Sequence, residues 1–129
     1  MLFYTFNSQE ERRRFGGSDF IEIQFCRLPD GTALNKAVEI DSIKPWQNDS
    51  LYIADDVGFF HEYSSIFDCG VYNNLKSGTV DLCGINYYIP SLTDNIIEKI
   101  CKNEPDDYEI LVEWLIKSKA YNGFYILGL

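Results

Sequence analysis

The last third of the chain does most to limit what it can fold into, because two amphipathic helices are followed at once by a stop and a short apolar strand. Ser91 with Asp94 three places on reads as a helix start, and Ile96, Ile97, Ile100 and Cys101 then form a stripe at helical spacing. A second helix is expected from Pro105. There Asp106, Asp107 and Glu109 suit the positive end of the helix dipole, and Tyr108, Leu111, Val112, Leu115 and Ile116 form the buried face. Lys117 and Lys119 fall in its last turn, Asn122-Gly123 ends it, and Phe124 to Leu127 (FYIL) reads as a strand buried in a sheet. A closing strand of that kind needs partners from earlier in the chain.

Those partners are legible in part. Leu2 to Phe6 is apolar and β-prone, and Ser8 with Glu11 has capping-box spacing for a short helix over Gln9 to Phe15, stopped by Gly16-Gly17. Phe20 to Leu28 alternates, with Phe20, Glu22, Gln24 and Cys26 on one face and Ile21, Ile23, Phe25 and Arg27 on the other, the pattern of a partly covered strand ending at Pro29-Asp30-Gly31. A short strand is expected at Ala37 to Ile40, a loop around Pro45-Trp46, and a strand at Leu51 to Ala54. Phe59 to Phe67 satisfies both a helical and an extended period and is read as strand or irregular. Cys69 to Leu75 and Thr79 to Ile89 read as extended segments, Gly84 marking a bulge or bend. The fold class is α+β, a mostly antiparallel sheet with a C-terminal helical pair and a final strand. With 129 residues, 46% of them hydrophobic, residues 1–129 are expected to form a single domain around one core.

Charge narrows the function classes. Asp and Glu number 20 against 11 Lys and Arg, for a formal net charge of -9, a field that repels phosphate backbones and attracts basic partners. Nucleic acid is therefore not expected as a ligand. The glycines form neither a dinucleotide nor a phosphate-binding loop, and no cofactor is expected. Cys26, Cys69, Cys83 and Cys101 have no metal-ligand spacing, so no metal site is expected either. The N-terminal segment lacks the pattern of a signal peptide and no apolar run is long enough to span a bilayer, which makes a cytoplasmic location with reduced thiols the expectation.

His61, the single histidine, has no second histidine four places on and so lacks a zinc-protease pattern; Ser64, Ser65 and Cys69 lie near it in sequence, as chance would also place them. A small hydrolase or transferase using His61, or a regulatory or assembly subunit, are the alternatives to a binding protein, and no enzymatic activity is expected. Cys26 and Cys101 read as small core hydrophobes, and Arg12-Arg13-Arg14 as a solvated helix face. The acids are more informative. Asp30, Glu39, Asp41, Asp49, Asp55, Asp56, Glu62 and Asp68 are opposed only by Lys36 and Lys44, and they fall in loops and strand ends where acids are expected to do little for the fold. Trp46, Tyr52, Phe59, Phe60 and Tyr63 lie in the same stretch, and interface hot spots favour such rings within a charged surround.

The segments DSLYIADDVGFFHEY, SLTDNIIEKI, YEILVEWLIK and YNGFYILGL together resemble immunity proteins of bacterial contact-dependent inhibition and related polymorphic toxin systems. That resemblance implies an acidic cytosolic inhibitor covering a cognate, cationic, nuclease-type toxin domain. It further implies that Asp49, Asp55, Asp56, Glu62 and Asp68 pair with toxin Lys or Arg, with Trp46, Tyr52 and Tyr63 as packed anchors.

Overall fold

In the computed structural model, which describes residues 1–16 and 20–128, buried tyrosines explain much of how the connections are held. Strands β1 (Phe3–Tyr4), β2 (Ile21–Phe25), β3 (Leu51–Ile53), β4 (Gly70–Val71), β5 (Ser77–Gly78), β6 (Ile85–Tyr88) and β7 (Phe124–Leu127) form one antiparallel sheet in the order β1-β3-β2-β7-β6-β4-β5. The final strand is central, paired on one side with β2 through Gln24 opposite Tyr125 and on the other with β6 through Tyr87 opposite Tyr125. The helices are α1 (Gln9–Phe15), α2 (Leu34–Ala37), α3 (Asp56–Tyr63), α4 (Thr93–Asn103) and α5 (Tyr108–Ser118). The α+β class and the helical pair leading into a last strand are thus present.

Strand alternation sends Ile21, Ile23, Phe25, Leu51, Ile53, Phe124 and Ile126 to one face, where they pack on Phe59 and Tyr63 of α3, Ile96 and Ile100 of α4, and Leu111, Trp114 and Leu115 of α5. The other face is also covered. Tyr87, Tyr125, Ile85 and Leu127 meet Ala37, Val38 and Ile43, while Phe6, Phe20 and Tyr52 gather with Tyr4 and Trp46 at the β1 end. Every residue of β2 is consequently buried, where one open face was expected, because the segment 28–48 folds back over it.

Four phenols fasten the connections. Tyr52 Oη donates to the carbonyl of Gln47 (2.5 Å), Tyr63 to Asp106 (2.6 Å), Tyr87 to Asn122 (2.6 Å) and Tyr125 to Ala37 (2.6 Å). Each ring is at most 3% exposed. A loop carbonyl shielded from water needs a donor, and a tyrosine anchored in the sheet, or for Tyr63 in α3, reaches it with a long rigid arm without giving up a backbone hydrogen bond.

Three local expectations are corrected. Phe59 to Tyr63 is helical within α3, with turns over 64–67, because Asp55 caps the helix by accepting from the Gly58 amide (2.9 Å) and Phe59 and Tyr63, four apart, share its buried face. A Cβ at Gly58 would lie 2.4 Å from the Asp55 carboxylate, so the glycine leaves room for the cap. Ala37 to Ile40 is the end of α2 and a 3-10 turn, not a strand, since the Ala33 carbonyl collects the amides of Lys36 and Ala37. The helix expected from Ser91 begins as a 3-10 turn over Pro90–Leu92, whereas Gly84 lies, as expected, in a bend, the one that opens β6. The stop after α1 is at Gly16, φ 100°; Gly17 lies outside the described residues.

Candidate binding surface

The residues expected to form one recognition face are divided between the two sides of the sheet. Tyr52 and Trp46 belong to the side away from α3, and Tyr52 is 2% exposed, so it cannot anchor a partner. Trp46 is half-buried, its ring parallel to Tyr52 at 6.0 Å and covered by the Arg12 guanidinium at 3.6 Å. Arg12, read from sequence as part of a solvated face, is 8% exposed, and its Nε has no hydrogen-bond partner among the described residues. Tyr63 is wholly buried under α3, against Phe3, Phe59 and Phe67. Both tyrosines are core, because rings at alternate strand positions or at i, i+4 on a helix follow the apolar face.

Beneath Trp46 lies a residue that sequence reasoning passed over. Glu22 projects from the middle of β2 and is 3% exposed, yet its carboxylate is satisfied. Oε1 accepts from the Trp46 amide (2.7 Å), and Oε2 from the Gln47 amide (3.0 Å), Ser50 Oγ (2.6 Å) and Gln24 Nε2 (3.0 Å). The two successive amides converge because Trp46 has φ 69°, a left-handed conformation that turns both N–H groups toward the acid. Burial pushes the Tyr52 phenol up, with the Glu22 charge adding to it. Glu22 is a fold-holding acid; its only sequence signal is a charge within the strand IEIQF, where Gln24 is the one other polar residue.

The mid-chain acids also do more structural work than loop positions suggest. Asp49 pairs with Arg27, and its carbonyl accepts from Trp114 Nε1 at 2.8 Å. Asp55 is the α3 cap, and Glu62 Oε1 accepts the Asp106 amide at 2.8 Å. Asp56 is exposed at the first turn, its carboxylate touching only the adjacent Val57 amide (2.9 Å). Asp68 is exposed beside Cys69, whose thiol is pushed up by burial and secondly by that charge.

What the fold does bring together is α3 and the start of α5. The Glu62 and Tyr63 contacts to the Asp106 backbone place Asp106, Asp107 and Glu109 against α3, and the Asp107 carboxylate accepts the Leu2 amide (2.5 Å). Their joint field is registered at Tyr63, held above the usual phenol range by burial, then by Asp107, Glu62, Asp106 and Glu109. Residues 55–62 and 104–109 contain no lysine or arginine. In sequence Asp106, Asp107 and Glu109 read as helix-start acids, a role that conceals their meeting with α3. Sequence separation gave no signal of it.

His61 is 84% exposed at its side chain; its nearest carboxylate is Glu62 at 3.9 Å, and that group already serves the Asp106 amide. Among the described residues, no three His, Cys, Asp or Glu side chains are placed to hold a metal ion. Among the same residues, no helix is long and apolar enough to cross a membrane. Comparison with protein-family models, with curated proteins and with solved structures finds no match to this chain.

Proposed function

We propose that this protein is an immunity-type inhibitor that binds a cognate, basic, nuclease-type toxin domain in the bacterial cytoplasm, acting by recognition and not by catalysis. The observation that carries the reading is the acidity where α3 meets the start of α5, which among the described residues forms no salt bridge to lysine or arginine. Asp55, Asp56, Glu62, Asp106, Asp107 and Glu109 lie on segments without a cation, within a chain of net charge -9. Acids confined to one region steer a basic partner onto it and would fill a groove that otherwise takes nucleic acid.

The test is genetic and direct. The C-terminal domain of the reading frame immediately upstream is expressed alone, then with this chain, in a heterologous bacterial host. Growth arrest by the first and restored growth with the second is the expected pair of results. A toxic domain that this chain does not relieve, or an upstream product without toxicity, contradicts the proposal.

A further inference from the structure

Two large apolar side chains of α3 stay exposed to solvent. Phe59 and Tyr63 take the buried side, while Val57 is 75% exposed and Phe60, at the flank of that side, is 44% exposed, the two lying one turn apart. Among the described residues, these are the only two large hydrophobics exposed within one turn of a single helix; Ile40, Leu75 and Ile116 stand at least five positions from the next. Isolated apolar residues are ordinary on a surface, whereas an adjacent pair on a helix that has already buried its other side is not. Helix formation does not ask for them. Valine and phenylalanine are poorer formers at solvent-facing positions than lysine, glutamate or alanine, yet Val57 and Phe60 stand there.

We infer that the outer side of α3, centred on Val57 and Phe60, is the docking surface for a basic protein partner, which presents an apolar pocket rimmed by lysine or arginine. This rests on the binding function proposed above and fixes where binding occurs. The occupant is decided by charge: Asp55 and Asp56, both exposed, immediately precede Val57 at the helix start, within a chain of net charge -9. A second copy of this chain would bring two such acidic helix starts together. A basic partner neutralises the acids while covering the apolar pair.

A synthetic amphipathic helix of leucine and lysine serves as the probe, with a leucine–glutamate twin as its control. Amide chemical shifts locate the binding, and titrations give affinities for the wild type, for Val57→Ser with Phe60→Ser, and for Ile116→Ser. The expected result is shift changes concentrated in 55–62 and 104–109, with affinity reduced about tenfold or more by the double change and within about twofold of wild type for Ile116→Ser. Unchanged near-ultraviolet circular dichroism in the double variant shows that its fold is kept. Lysine-peptide binding that maps elsewhere, or that survives the double change, overturns this surface and leaves the basic-partner reading standing. Equal binding of the glutamate twin overturns both. A wild-type dimer dissolved by the double change overturns the choice of occupant.

Discussion

Raising the pH above about 10 is expected to unfold the protein cooperatively, with Tyr52, Tyr63, Tyr87 and Tyr125 ionising together as the fold is lost. Each of these hydroxyls donates to a backbone carbonyl, and a phenolate in the same place would have no proton to donate and would face the carbonyl dipole. Burial is the leading cause that pushes all four upward, joined by Glu22 at Tyr52, by Asp107 at Tyr63 and by Cys26 at Tyr87 and Tyr125. The sign follows. A group raised above its unfolded value stabilises the fold fully below that value, near 10, and the contribution is lost as pH rises toward the folded value. Each phenol that stays protonated only in the folded state costs about 1.4 kcal/mol per pH unit above that point, and roughly half of this after solvent screening. Four such groups together remove about 6–8 kcal/mol within about two to three pH units, which reaches the midpoint of a domain in the lower half of the ordinary range of about 5–15 kcal/mol. Absorbance at 295 nm followed alongside far-ultraviolet circular dichroism checks this. Titration of all tyrosines near pH 10 with the secondary structure intact would show that the carbonyl contacts do not hold the fold.

Glu22→Gln is expected to be the most destabilising conservative change in the chain. The carboxylate accepts four hydrogen bonds, two of them from successive backbone amides, and donates none. An amide of the same shape must turn an NH2 group toward donors. That leaves at least one buried N–H without an acceptor and removes the charge that strengthens the rest, a loss of about 2–4 kcal/mol. The damage should be local before it is global. Amides of Trp46 and Gln47 should exchange faster under native conditions, while those of α5, on the far side of the sheet, keep their protection. Chemical denaturation gives the free energy and hydrogen exchange gives the location; a loss under about 1 kcal/mol would mean that water or a rearranged loop replaces the acid without strain.

The same residues explain what the sequence made legible. Helix stripes such as Ile96 and Ile100, and the apolar block Phe124–Leu127, depend on local periodicity, and α4, α5 and β7 accordingly lie close to where they were expected. Periodicity failed at α3, where rings occupy both sides; the deciding signal was the cap Asp55 with Gly58, a short-range contact that an aromatic count conceals. The site was less legible still. Trp46 and Tyr52 neighbour Asp55 and Asp56 in sequence, but β3 sends Tyr52 through to the opposite side of the sheet, because strand residues alternate. In the other direction, Asp106 is 44 positions from Glu62 and binds it. Acids in loops looked dispensable to the fold, yet Asp49, Asp55 and Glu62 each secure a connection. Composition reports how many charges there are; only long-range pairing decides which of them are free.

Free carboxylates on the α3 side are what the account requires of recognition, and a paired charge reversal measures this most directly. Asp56→Lys with Asp106→Lys changes two exposed acids whose side chains support no distant element, whereas Asp55 is left in place as the helix cap. Asp30→Lys with Asp41→Lys makes the same change of charge on the segment covering the other side of the sheet. Calorimetry of each variant against the cognate basic domain, at low and at physiological salt, is predicted to show a loss of about 100-fold or more and a flattened salt dependence for the first pair, and under about threefold for the second. Equal losses from the two pairs, or an undiminished affinity in the first, would contradict the account.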